Sequence, residues 1–332
     1  MHTLIINRDD VERLLPMPKC IELMREALIA ASLGDAQFPL RTVLPVAGRN
    51  GYMALMSGQH RGIGAMGAKI ISIFPENHQA GLESHQGVVL LFDTNAGYPL
   101  AIIDAAAITA IRTAAASGAA TEALARSDAE TLCILGSGVQ AKSHLQAMLA
   151  VRKIKCVKIW SRRSQNARQF LDTYNLSPRI KSEIVSSVQE AVEDADIICS
   201  TTAAAEPIVK ASWLKPGAHI NAVGACTPTT REFDSETIRQ ASVFVDCYES
   251  AFREAGEIMI PLSEKRIDKG HIKAELGEVF AGRKNGRKKG AEITFFKSLG
   301  IAAEDLVAAH FIWQQATEMT IGAKFSFEGS HS

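Results

Sequence analysis

The chain has 332 residues, of which 47% are apolar and 22% charged, and its 36 basic side chains balance its 36 acidic ones. This length exceeds what one ordinary hydrophobic core takes up and indicates two domains. Nucleic-acid and membrane-surface binders carry an excess of basic residues, so neither kind of partner is expected.

The N-terminal third alternates strand-like and helix-like runs. Thr3–Ile6 predicts a strand, and the apolar spacing from 21 to 29 predicts a helix. The next runs alternate as strands do: 41–45, 51–57, 67–74 and 87–93. Asp93-Thr-Asn-Ala-Gly97 then predicts a hairpin turn. We expect an antiparallel or mixed sheet with flanking helices, which makes this an α+β domain.

An Ala-rich helical stretch at 108–125 introduces a second pattern. Strands are predicted at 131–136, 156–161, 195–202, 219–225 and 242–247, with helices between them at 139–151, 165–174 and after Ser187. This alternation predicts an α/β fold with a doubly wound parallel sheet of the Rossmann type. A last helix at 304–321 is expected to pack back on the N-terminal domain.

The six cysteines are scattered and form no C-x-x-C pair, and Cys133 and Cys199 lie in apolar runs typical of buried, reduced thiols. The N-terminus lacks the pattern of a signal peptide, and no apolar stretch of about 18 residues occurs. We therefore expect a cytoplasmic protein. No histidine pair has H-x-x-x-H spacing and no Cys–His cluster occurs, so no metal site is expected.

Gly136-Ser137-Gly138-Val139-Gln140-Ala141 follows a predicted strand and opens a predicted helix, as a dinucleotide fingerprint must. Gly136 permits the tight turn, Gly138 lets the pyrophosphate approach the backbone, and Ala141 keeps the helix close to the sheet. The helix N-terminus adds N–H groups and a partial positive charge. We predict cofactor contacts from residues 136–140. The alternative is a Gly-rich turn in a domain that binds no nucleotide.

The second strand of that unit ends in Trp160-Ser161-Arg162-Arg163-Ser164, with no acidic residue to bind a ribose 2′-hydroxyl. An arginine there can pair with a 2′-phosphate and lie against adenine. We therefore predict NADP(H) as the cofactor, with NADH weaker, and contacts from Ser161, Arg162 and Arg163. The alternative is that both arginines are ordinary surface charges.

Several stretches together resemble one family over nearly the whole chain. They are Arg41-Thr-Val-Leu-Pro, Gly67-Ala-Lys69, Ser84-His-Gln86, Ile108-Thr-Ala-Ile-Arg112, CILGSGVQA, KPGAHINAVGA, AELGEV and FKSLGIAAEDLVAA. The chain is similar to the ornithine cyclodeaminase/mu-crystallin family, and most to its mu-crystallin branch of NADPH-dependent ketimine reductases. The resemblance implies a homodimer. It assigns residues 1–112 with 304–332 to a substrate-binding and dimerisation domain, and 113–303 to an NADP-binding domain.

Arg41, Lys69 and Arg112 each stand in an otherwise apolar run. Buried cations are costly unless paired, and a substrate carboxylate would pair them. Residue types alone leave open internal salt bridges to nearby acids instead: Glu76, Glu83 and Asp104. In the family these three basic positions bind the α-carboxylate, so the resemblance implies that role, with Lys69 and Arg112 catalytic and Lys69 the candidate to supply a proton.

Other site residues are predicted on weaker grounds. Met56 and His85 are expected to line the substrate pocket, although a hydrogen-bonded structural role is equally open for His85. Further cofactor contacts are predicted at strand ends: Thr201, Thr202, Val223, Gly224, Cys226, Lys297, Ser298 and Gly300. A small filler after a strand is the alternative for Cys226. Glu304 and Asp305 open the last helix, where the helix dipole is sufficient to account for them.

Two departures from the cyclodeaminases select the reaction. Met53 and Met56 occupy the strand where those enzymes carry an acid for the distal amine, and Cys226 replaces their Asp in Val223-Gly-Ala-Cys-Thr-Pro228. Without these carboxylates a diamine is hard to hold and deprotonate. A protonated cyclic ketimine needs only a positioned hydride.

We therefore predict an NADPH-dependent reductase of the C=N bond in proline or lysine metabolism. Its substrates would be Δ1-piperideine-2-carboxylate and Δ1-pyrroline-2-carboxylate, and its products L-pipecolate and L-proline. The enzymatic alternatives are an amino-acid dehydrogenase of the alanine or arginine type, an opine-type N-alkylating enzyme and an ornithine cyclodeaminase. The non-enzymatic alternative is a crystallin-like protein that binds NADPH and a ligand.

Overall fold

The structure is a computed structural model that describes residues 2–174 and 176–327, with the side chains of all of these except residues 78 and 79. The chain divides into two compact units, Met1–Arg112 with Ile301–Ser332, and Thr113–Gly300. The second boundary lies three residues before the predicted one.

The elements follow one another from a mixed N-terminal region into regular strand–helix alternation. In chain order they are β1 (Thr3–Ile6), α1 (Arg8–Leu14), α2 (Met17–Leu33), β2 (Ala36–Gln37), β3 (Thr42–Pro45), β4 (Tyr52–His60), β5 (Ala65–Ile73), β6 (His85–Asp93), β7 (Pro99–Asp104), α3 (Ala105–Leu124), β8 (Thr131–Leu135), α4 (Val139–Val151), β9 (Cys156–Trp160), α5 (Ser164–Thr173), β10 (Lys181–Ile184), α6 (Val188–Val192), β11 (Ile197–Ser200), β12 (His219–Ala222), α7 (Ser235–Gln240), β13 (Ser242–Val245), α8 (Tyr248–Glu254), α9 (Gly256–Ser263), β14 (Ile272–Glu275), α10 (Leu276–Phe280), β15 (Thr294–Lys297), α11 (Ala302–Met319) and β16 (Ala323–Phe325).

The first unit is built on an eight-stranded mixed sheet in the order β16-β1-β7-β6-β5-β4-β2, with β3 paired to β4. The predicted hairpin joins β6 to β7: the Asp93 N–H donates to the Tyr98 carbonyl, and the Gly97 N–H donates to that of Asp93. Helix α11 packs on α2, β4 and β5. This places the C-terminal helix within the first unit, as expected from the sequence.

The second unit is an eight-stranded sheet in the order β10-β9-β8-β11-β12-β15-β13-β14, in which every strand pair is parallel. Its first six positions reproduce the 3-2-1-4-5-6 order of a dinucleotide-binding sheet, with the switch point between β8 and β11. The inner strands β11, β12 and β15 are buried throughout, as expected where helices cover both faces of such a sheet. The predicted Rossmann architecture is confirmed.

The six cysteines are all free thiols. Across residues 2–174 and 176–327, no helix combines the length and apolar character needed to cross a membrane.

Candidate functional site

The first unit contains a buried cluster of opposite charges. Lys69 lies on β5 and Arg112 on α3, and each is about 3% exposed. The Lys69 ammonium lies 3.0 Å from Oδ1 and 2.9 Å from Oδ2 of Asp305. The Nε of Arg112 lies 3.0 Å from the same Oδ1, and its Nη1 lies 2.7 Å from Oε2 of Glu304.

Both acids come from the first turn of α11, where the helix dipole also favours carboxylates. The expectation that the dipole alone accounts for Glu304 and Asp305 is therefore wrong, because both acids bind the predicted site cations. For Lys69 and Arg112, the other internal partners considered from the sequence are also wrong. Of these, Glu83 and Asp104 pair with Arg8, and Glu76 accepts a hydrogen bond from Asn50.

The pairing leaves donors available to a ligand. Among the described residues, the Lys69 ammonium bonds only to Asp305, so it retains an N–H. Arg112 uses Nε and Nη1, which leaves the two N–H groups of its Nη2. These donors belong to side chains that share one carboxylate oxygen, so they lie close together. A carboxylate would complete both sets of hydrogen bonds.

The pKa of Lys69 lies close to neutral pH. Burial and the charge of Arg112 lower the pKa of Lys69 to about 8, while Asp305 acts in the opposite direction. Burial raises the pKa of Asp305, but Arg112 and Lys69 outweigh it and the net shift is downward. Asp305 therefore stays ionised at neutral pH, and Lys69 loses its proton in mildly alkaline solution.

The other predicted substrate residues lie around Lys69. Arg41 stands half-buried just before β3, and its charge contributes to the lowered pKa of Lys69. Met56 is buried on β4 directly opposite Lys69 in the strand register. His85 begins β6 and shares a 2.8 Å hydrogen bond with the Ser84 hydroxyl. Desolvation of its ring, and then the Lys69 charge, lower the pKa of His85.

In the second unit, the β8–α4 turn has the geometry that a pyrophosphate needs. Gly136 has φ +119°, and a Cβ there would lie 2.7 Å from the Thr201 hydroxyl, so a side chain is excluded. Gly138 is the N-cap of α4 without a side-chain cap, and a Cβ there would enter open space. Val139 and Gln140 begin the helix, so its first N–H groups face outward from this turn.

The adjoining β9 edge carries the predicted 2′-phosphate residues. The Ser137 and Ser161 hydroxyls lie 3.0 Å apart and so join the ends of β8 and β9. Arg162 and Arg163 are both exposed, with Arg163 at the N-cap of α5. Both guanidinium groups are accessible to a ligand.

The remaining predicted cofactor residues lie at or just after the carboxyl ends of β11, β12 and β15. They are Thr201, Thr202, Val223, Gly224, Cys226, Lys297, Ser298 and Gly300. The buried Ser298 hydroxyl has no hydrogen-bond partner among the described residues. A buried hydroxyl is normally paired, so this orphan group fits a polar ligand at the strand edge.

Two of these residues have clear protein contacts. The fully buried Lys297 ammonium pairs with Glu257 at 3.2 Å and donates to the carbonyls of Ala222 and Ala225. The half-buried Cys226 thiol donates to the Val223 carbonyl at 3.4 Å. Direct cofactor contact by either residue stays a prediction.

The sequence interpretation missed several buried acids of this unit. Glu232, Asp246 and Glu257 are each 0% exposed, and Asp246 Oδ2 accepts the N–H groups of Leu299 and Gly300 at 2.6 Å each. A signal was available for Asp246, since a lone acid within an apolar run such as SVFVDC must find buried partners.

Comparison with known proteins places these features in one family. The model of the ornithine cyclodeaminase/mu-crystallin family matches residues 1–320. The ketimine reductase mu-crystallin of Mus musculus is 42% identical over 280 residues, which are 84% of this chain and 85% of that protein.

Two solved structures are similar throughout. The Thermococcus litoralis Δ1-pyrroline-2-carboxylate reductase, in complex with NADH and L-proline, has a TM-score of 0.94 and 40% identity, covering 97% of this chain and 99% of that one. An archaeal alanine dehydrogenase dimer with bound NAD has a TM-score of 0.93 and 33% identity, covering 99% and 100%. The buried cation cluster, the dinucleotide turn and these full-length similarities establish that the chain belongs to the ornithine cyclodeaminase/mu-crystallin family.

Proposed function

We propose that this protein is an NADPH-dependent ketimine reductase that converts Δ1-pyrroline-2-carboxylate and Δ1-piperideine-2-carboxylate to L-proline and L-pipecolate. The observation that carries this proposal is the buried pair Lys69 and Arg112, which keeps N–H donors after binding Asp305 and Glu304. A mammalian ketimine reductase and an archaeal pyrroline-2-carboxylate reductase, both at least 40% identical, support the same chemistry.

The first unit binds the substrate by its carboxylate. The remaining Lys69 N–H and the Nη2 of Arg112 donate to the two carboxylate oxygens, and Arg41 adds positive charge. Charge-assisted hydrogen bonds of this kind are about twice as strong as neutral ones. Because Asp305 and Glu304 already hold both cations, the site is preorganised and little side-chain entropy is lost on binding.

The second unit binds the dinucleotide. Gly136, Gly138 and the N-terminus of α4 receive the pyrophosphate, and the buried Ser298 hydroxyl offers a hydrogen bond at the other end of the same edge. When bound, the reduced cofactor supplies the hydride to the C=N carbon. The Ser137–Ser161 hydrogen bond fixes the two strand ends beside the adenosine half.

The preference for the phosphorylated cofactor rests on Arg162. It follows β9 where NAD enzymes carry an acid, and its exposed guanidinium can pair with a 2′-phosphate. The similar archaeal reductase binds NADH, so we propose a preference rather than exclusive use.

The reaction needs one hydride, which adds to carbon, and one proton, which adds to nitrogen. A substrate that arrives as the protonated iminium already carries the proton on nitrogen, so hydride addition to carbon completes the secondary amine. A neutral imine takes its proton from Lys69, whose pKa of about 8 lets it exchange protons near neutral pH. Met56, and not a carboxylate, lies opposite Lys69 in the sheet. This favours a substrate with one nitrogen over a diamine.

We also propose that the protein is a homodimer that pairs through its first unit. Apolar side chains on one face of neighbouring strands are exposed there: Leu44, Met53 and Leu55 are 37–59% exposed. A shallow groove of about 810 Å³ continues the surface between Phe38, Met66 and Phe92. Contiguous apolar patches of this kind mark protein interfaces, and the similar archaeal alanine dehydrogenase is a dimer.

The second candidate function is amino-acid dehydrogenation, which the similar archaeal alanine dehydrogenase favours. That reaction reduces an open-chain imine formed from a 2-oxo acid and ammonia. Both functions bind the substrate carboxylate through Lys69 and Arg112. They differ in the C=N bond, which is already present in the ring of a cyclic ketimine but has to form from the 2-oxo acid and ammonia in the dehydrogenase reaction.

The decisive assay follows NADPH oxidation with five- and six-membered cyclic ketimines, in parallel with pyruvate plus ammonia. The same series with NADH measures cofactor preference, and ornithine with NAD⁺ tests for ammonia release. We expect the cyclic ketimines to have the highest kcat/KM. Faster turnover of pyruvate with ammonia would establish the second candidate, and deamination of ornithine would refute the proposal.

A further inference from the structure

We infer that Glu232, a fully buried residue of the second unit, is a positioning residue for the nicotinamide half of the dinucleotide site. The inference rests on the proposed dinucleotide binding and adds to it a residue that itself touches no ligand. Glu232 hydrogen-bonds to the ends of two strands, and a second buried acid connects it to a third.

The Glu232 carboxylate joins the ends of β11 and β12. Its Oε1 accepts hydrogen bonds from the Ser200 hydroxyl at 2.6 Å, the Thr202 hydroxyl at 2.7 Å and the Thr202 N–H at 2.8 Å. Its Oε2 accepts the Gly224 N–H at 2.8 Å. A buried carboxylate with four donors is therefore the shared anchor of two strand-end loops.

A second buried acid extends this anchor to β15. The Glu232 N–H donates to Oε1 of Glu257 at 3.0 Å, and Oε2 of Glu257 lies 3.2 Å from the Lys297 ammonium. Lys297 in turn donates to the carbonyls of Ala222 and Ala225 on either side of Gly224. One charged network thus fixes the carboxyl ends of three adjacent strands.

The loops that follow β11 and β12 lie in close contact with each other. A Cβ on Gly224 would lie 2.0 Å from the Thr202 carbonyl oxygen and 2.7 Å from Oε1 of Glu232. The backbone of the β12 loop therefore lies directly on the β11 loop with the carboxylate beside both. Such close contact fixes main-chain donors and acceptors at the strand edge with little freedom.

The strand order identifies which half of the cofactor these loops serve. In the 3-2-1-4-5-6 arrangement, each mononucleotide half of the sheet binds one half of the dinucleotide. The fingerprint turn and Arg162 follow β8 and β9, which assigns the adenosine half to that side. β11, β12 and β15 form the other half and therefore serve the nicotinamide riboside.

Charged anchors of this type are expensive to bury, and a purely structural role is the competing explanation. The chain offers a matched control for it. Asp196 is also buried, and its Oδ2 accepts the N–H groups of Glu130 and Thr131 at 2.9 Å each, but at the amino ends of the strands. Loss of Asp196 weakens the same sheet at the edge where no dinucleotide binds.

The test compares Glu232→Gln with Asp196→Asn by titration with two probes: NADPH, and 2′-phospho-ADP-ribose, which lacks the nicotinamide. NADH and ADP-ribose replace them if the wild type prefers NADH. We expect Glu232→Gln to raise the Kd of the full dinucleotide about tenfold and that of the truncated probe less than about twofold, since small displacements of preorganised groups have effects of this size. Asp196→Asn should lower Tm without separating the two probes.

The outcomes separate the two proposals. Wild-type protein that binds neither dinucleotide overturns the proposed function and this inference together. Wild-type binding, with Glu232→Gln weakening both probes equally or neither, overturns the inference alone. If Glu232→Gln does not fold, Ser200→Ala removes one donor to the same oxygen and should separate the probes in the same direction; equal affinities there also overturn the inference.

Discussion

Asp305 holds Lys69 through both carboxylate oxygens, at 3.0 and 2.9 Å, although the two residues are 236 positions apart. The same carboxylate accepts Nε of Arg112. The first turn of the C-terminal helix α11 thus sets the charge and orientation of both proposed catalytic residues. Acid–base behaviour and substrate affinity should therefore respond to changes in a helix that the sequence places far from the cations.

The first prediction concerns the alkaline limit of activity. In the proposed mechanism Lys69 binds the substrate carboxylate as an ammonium, so kcat/KM should fall as the pH rises through its pKa of about 8. Asp305 raises this pKa, so Asp305→Asn should move the fall to lower pH. The measurement is kcat/KM from pH 6 to about 10 for each folded protein.

Glu304→Gln is the matched control for that shift, because Glu304 bonds to Arg112 and not to Lys69. Glu304→Gln should raise KM, but kcat/KM should fall over the same alkaline pH range as in the wild type. An Asp305→Asn profile that overlays the wild-type profile would show that Lys69 does not govern this limb.

The second prediction concerns the binding of the substrate carboxylate by Arg112. Arg112→Ala removes Nη2 from the substrate and leaves two buried acids short of a partner. We expect kcat/KM to fall at least about 100-fold and stability to fall by about 3–5 kcal/mol. Arg8→Ala breaks an exposed ion pair to Glu83 in the same unit and should change both quantities little. Wild-type kinetics in Arg112→Ala would remove the residue from the site.

The third prediction tests the dinucleotide turn. A Cβ on Gly138 meets no atom within 4 Å, so Gly138→Ala should keep the wild-type Tm. The added methyl group would occupy the space where the pyrophosphate approaches, and the Kd for NADPH should rise more than about tenfold. Gly290 also has open space, and Gly290→Ala should match the wild type in both measurements. Unchanged affinity in Gly138→Ala would exclude this turn as the phosphate site.

The fourth prediction separates the two cofactors. Arg162 is exposed and lies beyond β9, so Arg162→Ala should leave folding intact. Losing a charge-assisted contact to a 2′-phosphate should lower kcat/KM for NADPH about tenfold or more, with little change for NADH. Arg168→Ala, on exposed surface of the following helix α5, is the control. An equal fall in kcat/KM for NADPH and NADH would contradict the proposal that Arg162 binds the 2′-phosphate.

The fifth prediction concerns stability in acid. Burial lowers the pKa of His144 to about 4 and that of His219 to about 3. The unfolded chain protonates both near pH 6.5 and the folded chain does not, so stability falls as the pH drops below that value. Each histidine contributes a slope of about 1.4 kcal/mol per pH unit until its folded pKa is reached.

His144→Gln should therefore reduce the slope of the unfolding free energy against pH, between pH 6 and 5, by the contribution of one histidine, about 1.4 kcal/mol per pH unit. This change in slope is expected whatever the effect on absolute stability. The measurement is urea denaturation at a series of pH values. His2→Gln, on an exposed residue, should leave the slope unchanged. A slope in His144→Gln equal to that of the wild type would mean that His144 is protonated in the folded protein.

Local patterns in the sequence were sufficient for most of the fold. The apolar alternation of β4 to β6, the Asp93–Gly97 turn and the strand–helix rhythm after residue 131 all act over a few neighbouring residues. Helix dipoles, turn geometry and burial periodicity are decided at that range. The same holds for the Gly136–Ala141 turn, whose conformation depends on the residues within it.

The partners of the buried charges were decided only by the tertiary structure. The sequence indicated that Lys69 and Arg112 needed counter-charges but could not select Asp305 over nearer acids, because any of them satisfies the same electrostatic requirement. Likewise, nothing local to Glu232 indicates that it joins the ends of two strands. Residue type determines that a buried charge must be paired, whereas the partner is selected by which elements the folded chain brings within about 3 Å, the length of a hydrogen bond.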